Sequence, residues 1–167
     1  MFPRMRPTAS LLALTLAFTG CTVVGYPGGV TGPAPVRSDA EGDGAARSYE
    51  VFGVRYTTLA SSEDYREIGI ASWYGEKFHG RRTASGEIFD MHKRTAAHRT
   101  LPLPTCAEVR RLDDDRTVVV RVNDRGPFDP EGERIIDLSF AAAAAIGLIE
   151  PGTAAVEVRA LEPDRSC

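Results

Sequence analysis

The pattern of apolar and polar positions predicts a small, mostly β domain in the second half of the chain. Residues 117–122 alternate, so that Val118, Val120 and Val122 share one face while Arg121 lies on the other. This period of two is typical of a strand with one buried face.

The same period, together with Gly and Asp turn signals, predicts further short strands. Extended segments are expected at 68–74, 88–89, 109–112, 117–122 and 155–161. Residues 113–116, Asp-Asp-Asp-Arg, form the polar loop of a predicted antiparallel hairpin. About six short strands in so short a chain favour a closed barrel over a sandwich, because closure removes exposed strand edges.

One helix is predicted at Phe140 to Ile146, where alanine, the best helix former, dominates. Asp137 or Ser139 can cap its start, and Gly147 suits its end. The domain is therefore a barrel with a short helix packed on it.

The N-terminus predicts export. Two arginines precede an apolar stretch at 9–18, which is too short to cross a bilayer of roughly 30 Å but matches the apolar region of a signal peptide. Thr19-Gly20-Cys21 resembles the lipobox of bacterial lipoproteins, so we predict a signal peptide at 1–20 and lipidation of Cys21. The alternative is an ordinary cleaved signal with an incidental cysteine. The expected location is the bacterial cell envelope, anchored by lipid to the outer membrane and facing the periplasm.

Composition divides the rest of the chain. Residues 21–48 are rich in Gly, Pro and Ala without an apolar period, which predicts a disordered tether. An N-terminal arm is expected at 49–65 and the barrel at 66–162, followed by a tail at 163–167.

Charge and cysteine content narrow the function. The chain has 20 basic and 23 acidic residues, and loss of a leader with two arginines makes it more acidic still. Nucleic acid is therefore not expected as a partner, because phosphate binding needs a concentrated basic face. An oxidising envelope permits Cys106 and Cys167 to pair, but one sequence fixes no distance, so this bridge stays open.

Five segments in order resemble the rare lipoprotein A (RlpA) family over most of residues 66–161. They are ASWYG, FHGRRTASGEIFDM, TAAHRTLPLPT, VVVRVNDRGPF and IIDLSFAAAAAIG. The resemblance implies a mainly β fold, a six-stranded double-psi β-barrel with one or two short helices, similar to expansins and barwin.

The resemblance also implies an activity. Better-known members of that family are lytic transglycosylases, which cleave the β-1,4 bond between N-acetylmuramic acid and N-acetylglucosamine in peptidoglycan glycan strands and leave 1,6-anhydro ends. They act on strands stripped of stem peptides. The alternatives are a non-cleaving, expansin-like peptidoglycan-binding lipoprotein and a structural lipoprotein with a vestigial site. Many relatives carry a C-terminal SPOR domain; none is expected here, which leaves septal targeting open.

The family's catalytic positions fall on Glu87, His98 and Asp124. Asp124 is the expected acid and base, since burial at a strand end would raise its pKa, provided that the Arg125 side chain points away. Its alternative role is to shape the following turn. Glu87 is expected to stabilise positive charge across the cleft or to share a proton with Asp124. His98 is expected to orient either carboxylate.

Aromatic side chains suit the apolar faces of sugars. The predicted substrate-binding residues are Trp73, Tyr74, Phe78, Arg125 and Phe128. On a strand Trp73 and Tyr74 point to opposite sides, so Tyr74 is expected to line the groove while Trp73 packs inward.

Two further expectations concern side chains outside the proposed trio. Asp137 is interpreted as a helix cap rather than as a catalytic group, although expansins have a similar HFDLS-type segment. The three histidines show no metal-binding spacing, so no metal or other cofactor is expected.

Overall fold

A computed structural model describes residues 46–129, 131–162 and 167. The predicted signal peptide, the lipidated Cys21 and nearly all of the tether lie outside these residues. The described part contains eight strands, a 3₁₀ helix and an α-helix: β1 Ser48–Val51, β2 Val54–Thr57, β3 Arg66–Tyr74, the 3₁₀ helix Glu76–Phe78, β4 Thr95–His98, β5 Thr105–Arg111, β6 Thr117–Asp124, β7 Arg134–Ser139, α1 Phe140–Ala145 and β8 Ala154–Ala160. None of the helices in this part reaches the length and hydropathy that crossing a bilayer requires.

Six strands close into a barrel in the order β3-β7-β4-β6-β5-β8, which confirms the predicted six-stranded barrel. Two of the neighbouring pairs, β3 with β7 and β4 with β6, run parallel, and the other four run antiparallel. β4 therefore lies between β6 and β7, a placement that brings distant parts of the sequence together.

The barrel interior follows the alternation seen in the sequence. Val118, Val120 and Val122 of β6 are buried in the core, while Arg121 is partly exposed on the outer face. Interior side chains of all six strands pack into one apolar cluster with α1. Burial of this cluster is the main force that closes the barrel.

Some segments differ from the predicted strands. Residues 88–89 form only an isolated bridge, between Ile88 and Arg82, and β4 and β7 have no counterpart among the predicted segments. All four residues of β4 are buried, so the strand shows no alternation that could be recognised in the sequence.

The helix α1 is capped by Ser139 and not by Asp137. The Ser139 hydroxyl accepts a hydrogen bond from the backbone N–H of Ala142 at 3.2 Å, whereas Asp137 lies within β7. The interpretation of Asp137 as a cap is wrong, because the side chain that caps a helix must lie where the backbone turns into the helix, and that residue is Ser139.

The segment before the barrel is a two-stranded hairpin of β1 and β2, with Phe52 and Gly53 in its turn. Its Tyr49 and Tyr56 rings stack on each other and contact Phe128 of the barrel. Cys167, the last described residue, forms a disulfide with Cys106 of β5, with 5.5 Å between their Cα atoms.

Candidate active site

The barrel places two carboxyl groups in one row on its outer face. Ala97 of β4 pairs with Asp124 on one side and with Asp137 on the other, and Asp137 pairs in turn with Ser72 of β3. Directly paired residues project to the same face of a sheet. With adjacent strands about 4.8 Å apart, the backbones of the two aspartates are roughly 10 Å apart, and the small Ala97 side chain leaves the space between them open.

A bulge in β6 aims Asp124 into this row. The pairing of β4 with β6 shifts register between Ala96 and Ala97, where Asn123 is the extra residue. Gly126 then has φ +143°, and a Cβ there would contact Ala97 and Asp137 at 3.6 and 3.8 Å. A glycine at this turn therefore keeps the space beside the carboxyl groups free.

Asp124 is suited to carry a proton. Burial raises its pKa, although backbone N–H groups of Ala84 and Arg125 donate to its Oδ1 at 2.9 and 2.8 Å and act in the opposite direction, as does the Arg125 charge. A carboxyl with a raised pKa can serve as a general acid nearer to neutral pH than an exposed aspartate can.

Asp137 is the second carboxyl of the row. Burial raises its pKa, while a hydrogen bond from Ser72 and the Arg134 guanidinium at 3.2 Å limit that rise. The guanidinium and hydroxyl donors fix the orientation of the carboxyl group, so it is held in place rather than free in solvent.

Tyr74 lies on the same face of β3 as Ser72, next to the row of carboxyl groups. Its pKa is raised, first by burial and then by the negative charges of Asp124 and Asp137. The hydroxyl is buried and has no hydrogen-bond partner within the described residues. Its ring stacks on Phe89 at 4.4 Å and meets Phe78 edge to face. Tyr74 thus lies near enough to the two carboxyl groups to feel their charge, without a hydrogen bond to either, and its ring packs on Phe78 and Phe89.

Glu87 lies beside the same end of β6. Its carboxylate accepts hydrogen bonds from Arg121 at 2.8 Å and from the Asn123 side chain at 2.8 Å. These contacts, with Arg121 foremost, lower the pKa of Glu87. Of the two roles expected for Glu87, this environment favours a permanent anion over a carboxyl that shares a proton with Asp124.

The Arg125 side chain diverges from Asp124. Its Nη1 donates to the carbonyl oxygens of His98 at 3.1 Å and Leu101 at 2.6 Å, and the guanidinium lies 5.7 Å from the centre of the Tyr49 ring. The neighbouring cation consequently makes its direct contacts elsewhere, and the Asp124 carboxyl keeps a raised pKa.

His98 is separate from the two carboxyl groups in its side-chain contacts. It is 2% exposed, its Nδ1 accepts from the backbone N–H of Thr100 and Leu101, and its Nε2 is 2.8 Å from the Tyr65 hydroxyl, which also bonds to Glu67. Burial, then the Arg125 and Arg99 charges, lower the pKa of His98 to about 3. The ring is therefore neutral, with its proton on Nε2 directed at Tyr65.

The other predicted sugar-binding residues lie in three different places: the barrel core, the rim of the site and the contact with the hairpin. Trp73 packs against the barrel core and the Phe140 ring, in agreement with its expected inward direction. Phe78 is 39% exposed at the rim near Tyr74. Phe128 packs on the hairpin tyrosines, and with Arg125 it joins the hairpin to the site.

No group of three or more His, Cys, Asp or Glu side chains in the described part of the chain is arranged to hold a metal ion. Sequence reasoning missed Asp137 as a member of the site. The available signal was the likeness of the segment around Asp137 to the HFDLS-type segment of expansins, but only the pairing of each aspartate with Ala97 of β4 shows that the two carboxyl groups share a face.

Comparison with known proteins bears on this arrangement. Residues 66–158 match the model of a family described as "Lytic transglycolase", and this span includes the whole row of carboxyl groups. Together with the closed six-stranded barrel, the match confirms the double-psi β-barrel fold. A solved structure, the Streptomyces papain inhibitor, aligns with a TM-score of 0.48 and 22% identity over 59% of this chain and 96% of its own.

Curated relatives share nearly half of the aligned residues. The endolytic peptidoglycan transglycosylase RlpA of Pseudomonas aeruginosa (strain UCBPP-PA14) is 49% identical over 131 residues, which are 78% of this chain and 38% of the relative. Proteins of the same name from Neisseria meningitidis (serogroup A) and Vibrio cholerae are each 47% identical over 80% and 73% of this chain, and 55% and 46% of their own lengths. The chain thus spans about half or less of the length of these relatives.

Proposed function

The chain belongs to the lytic transglycolase family as a member of the RlpA group, and from this membership we propose that it is a peptidoglycan lytic transglycosylase, a lyase. It would cleave the β-1,4 bond between N-acetylmuramic acid and N-acetylglucosamine in glycan strands and form a 1,6-anhydro end. The observation that carries this proposal is the row of two partly buried carboxyl groups, Asp124 and Asp137, on one outer face with raised pKa values.

Asp124 is the proposed acid and base. Its proton goes to the glycosidic oxygen as the bond between that oxygen and C1 of the muramyl residue breaks. The resulting carboxylate then accepts the proton of the muramyl 6-hydroxyl, whose oxygen bonds to C1. The reaction needs no water, so one residue performs both proton transfers and is regenerated.

Asp137 and Glu87 are the proposed sources of negative charge during this reaction. The transition state resembles an oxocarbenium ion, and fixed carboxylates stabilise such positive charge. Asp137 faces the space above Ala97, where the bond would lie, and its donors Ser72 and Arg134 hold it in position. Glu87, paired with Arg121, supplies a second anion at the edge of the site.

The preferred substrate is proposed to be a strand without stem peptides. Removal of a stem peptide leaves a free carboxylate on the lactyl group of each muramyl residue. Arg99 forms no ion pair with any described residue; its Nη2 donates only to the Gly132 carbonyl at 3.3 Å, and its charge acts on the pKa of Asp137. A guanidinium in this position would attract the lactyl carboxylate and not the amide that replaces it when a peptide is attached.

The proposed location is the outer membrane, facing the periplasm, with a lipid anchor on Cys21. Support comes from the sequence of residues 1–21 alone. Labelling of cells with a fatty-acid analogue tests it: the native chain is expected to take up label, and Cys21→Ala is expected to lose it. A Cys21→Ala chain that still labels would exclude this anchor.

The activity is tested with purified full-length protein and amidase-treated sacculi. Mass spectrometry is expected to find 1,6-anhydro products with the native chain, and Asp124→Asn is expected to lose about 10²- to 10⁴-fold in rate, the usual contribution of a general acid. Arg159→Gln, on the far side of the barrel at β8, is the matched control. If the native chain yields no anhydro ends but still binds the sacculi, the non-cleaving binder is the better description.

A further inference from the structure

The surroundings of His98 point to a role that differs from proton transfer. Its Nδ1 accepts hydrogen bonds from the backbone N–H groups of Thr100 at 3.1 Å and Leu101 at 3.0 Å. One ring nitrogen therefore closes the turn that follows β4. Because the ring is almost fully buried, solvent has little access to the N–H groups of Thr100 and Leu101. Removing the ring nitrogen would therefore leave these two donors without an acceptor.

The same turn binds the cation next to Asp124. Arg125 Nη1 donates to the carbonyl oxygens of His98 and Leu101, which are the first and last residues of the turn that the ring closes. Both carbonyls point at one nitrogen only while the turn keeps its shape. The side chain that fixes the turn and the backbone that holds the guanidinium thus form one unit.

We propose that His98 is a positioning residue, which holds the turn 98–101 so that its carbonyls keep the Arg125 guanidinium away from the Asp124 carboxyl. This role rests on the proposed acid function of Asp124, and it explains why a neutral, buried histidine belongs to the site without touching either carboxyl group. The Tyr49 ring of the hairpin, 5.7 Å from the guanidinium, is a second restraint on Arg125.

The position of the Arg125 guanidinium determines how far a positive charge lowers the Asp124 pKa. Three other titratable groups face it or its immediate surroundings: Tyr74 from β3, Asp137 from β7 and Glu87 from the loop before β4. The Tyr74 hydroxyl is neutral and Glu87 is already paired with Arg121. Two more cations lie near the row, but the charges of Arg134 and Arg99 act on Asp137, and the charge that acts on Asp124 is that of Arg125. Among the described residues Arg125 is therefore the cation placed to pair with Asp124, and a carboxylate paired with arginine loses its proton at lower pH.

The experiment is a pH titration of Asp124 in the full-length protein. The protonation of its ¹³C-labelled carboxyl group is monitored by NMR, so no substrate is needed. In His98→Leu, which keeps the buried volume but removes the acceptor, the Asp124 pKa is expected to fall. In His98→Asn, whose side-chain oxygen can accept the same N–H groups, it is expected to stay near the native value. Tyr65→Phe is the matched control, since it removes the Nε2 partner and leaves the turn intact.

Activity gives a second measurement. At a pH above the Asp124 pKa of both the native chain and the variant, each unit of decrease in that pKa lowers the protonated fraction of Asp124 tenfold. The alkaline limb of the pH profile of kcat/KM is therefore expected to move to lower pH in His98→Leu. If His98→Leu does not fold, Tyr49→Leu tests the same idea through the second restraint and is expected to lower the Asp124 pKa.

Two results would overturn the proposal. One is an Asp124 titration that is the same in His98→Leu, or in its substitute Tyr49→Leu, as in the native chain. The other is a Tyr65→Phe variant that loses as much activity as His98→Leu, since that pattern belongs to a proton relay through Tyr65. If the titration shifts while even the native chain cleaves no glycan, the positioning role stands and the proposed enzymatic function fails.

Discussion

At the scale of single residues, the burial that raises the Asp124 pKa, as its proposed acid role requires, also has an energetic cost. Its pKa is higher in the folded chain than in the unfolded one, where it is about 3.9. The folded state therefore binds the proton more tightly, and stability falls as the pH rises from the unfolded value through the folded one. A carboxyl group whose pKa is raised by burial in this way destabilises the protein at neutral pH.

Asp124→Asn is expected to be more stable than the native chain at pH 7, because the amide does not ionise and its oxygen can still accept from Ala84 and Arg125. The gain is expected to vanish near pH 3, where the native carboxyl is protonated in both states. It amounts to about 1.4 kcal/mol for each unit by which folding raises the pKa. Denaturant unfolding at the two pH values measures it, and a stability difference independent of pH would contradict the assignment.

Arg99 offers a test of substrate choice at the same scale. Arg99→Gln is expected to slow cleavage of peptide-free strands by about tenfold or more, since it removes a charged hydrogen-bond donor, and to have little effect on strands that keep their peptides. Parallel digestion of both substrates, with products quantified by mass spectrometry, separates the two rates. Arg159→Gln is the control for a change in overall charge. Equal slowing on both substrates would mean that Arg99 does not recognise the lactyl carboxylate.

At the scale of elements, Ser139 connects β7, α1 and the start of β4. Its hydroxyl accepts from the N–H groups of Ala142 and Thr95 and donates to the Lys93 carbonyl at 2.6 Å, and the residue is fully buried. Ser139→Ala is expected to cost about 2 kcal/mol of unfolding free energy, measured with guanidinium chloride. Ser48→Ala, on the exposed β1, is the matched control and should cost less than about 0.5 kcal/mol. Equal stability of the two variants would contradict the cap.

The strands and the helix also show which parts of the structure can be predicted from the sequence. The alternation in β6 and the alanines of α1 are local signals, and the structure has a strand and a helix at these places. The pairing of β4 with both β6 and β7 is a through-space relation that no local period contains. Asp137 illustrates the difficulty: an aspartate just before an alanine-rich segment has the residue type of a cap, and only its register opposite Ala97 assigns it to the site.

At the scale of the whole molecule, the segments on either side of the barrel are both attached to it, the hairpin before it by packing and Cys167 after it by a disulfide. The hairpin of β1 and β2 packs through its tyrosines on Phe128, while the disulfide joins Cys167 to β5. Cys106 pairs with Arg121 of β6, which in turn holds Glu87. The pairing of β5 with β6 continues over six residue pairs, so this part of the site does not depend on the disulfide alone.

The double variant Cys106→Ser/Cys167→Ser is therefore expected to lose stability while it keeps most of its activity. The disulfide links residues 61 apart in sequence, and removing such a link from a small domain typically costs about 2–4 kcal/mol, because the unfolded chain regains conformational freedom. Guanidinium unfolding with and without a reducing agent measures the loss, in a Cys21→Ala background so that the reductant acts on this pair alone. Two free thiols in the unreduced protein, detected by mass spectrometry, would refute the bridge. A matching collapse of activity would mean that the bridge, and not the strand pairing, keeps Arg121 and Glu87 in place.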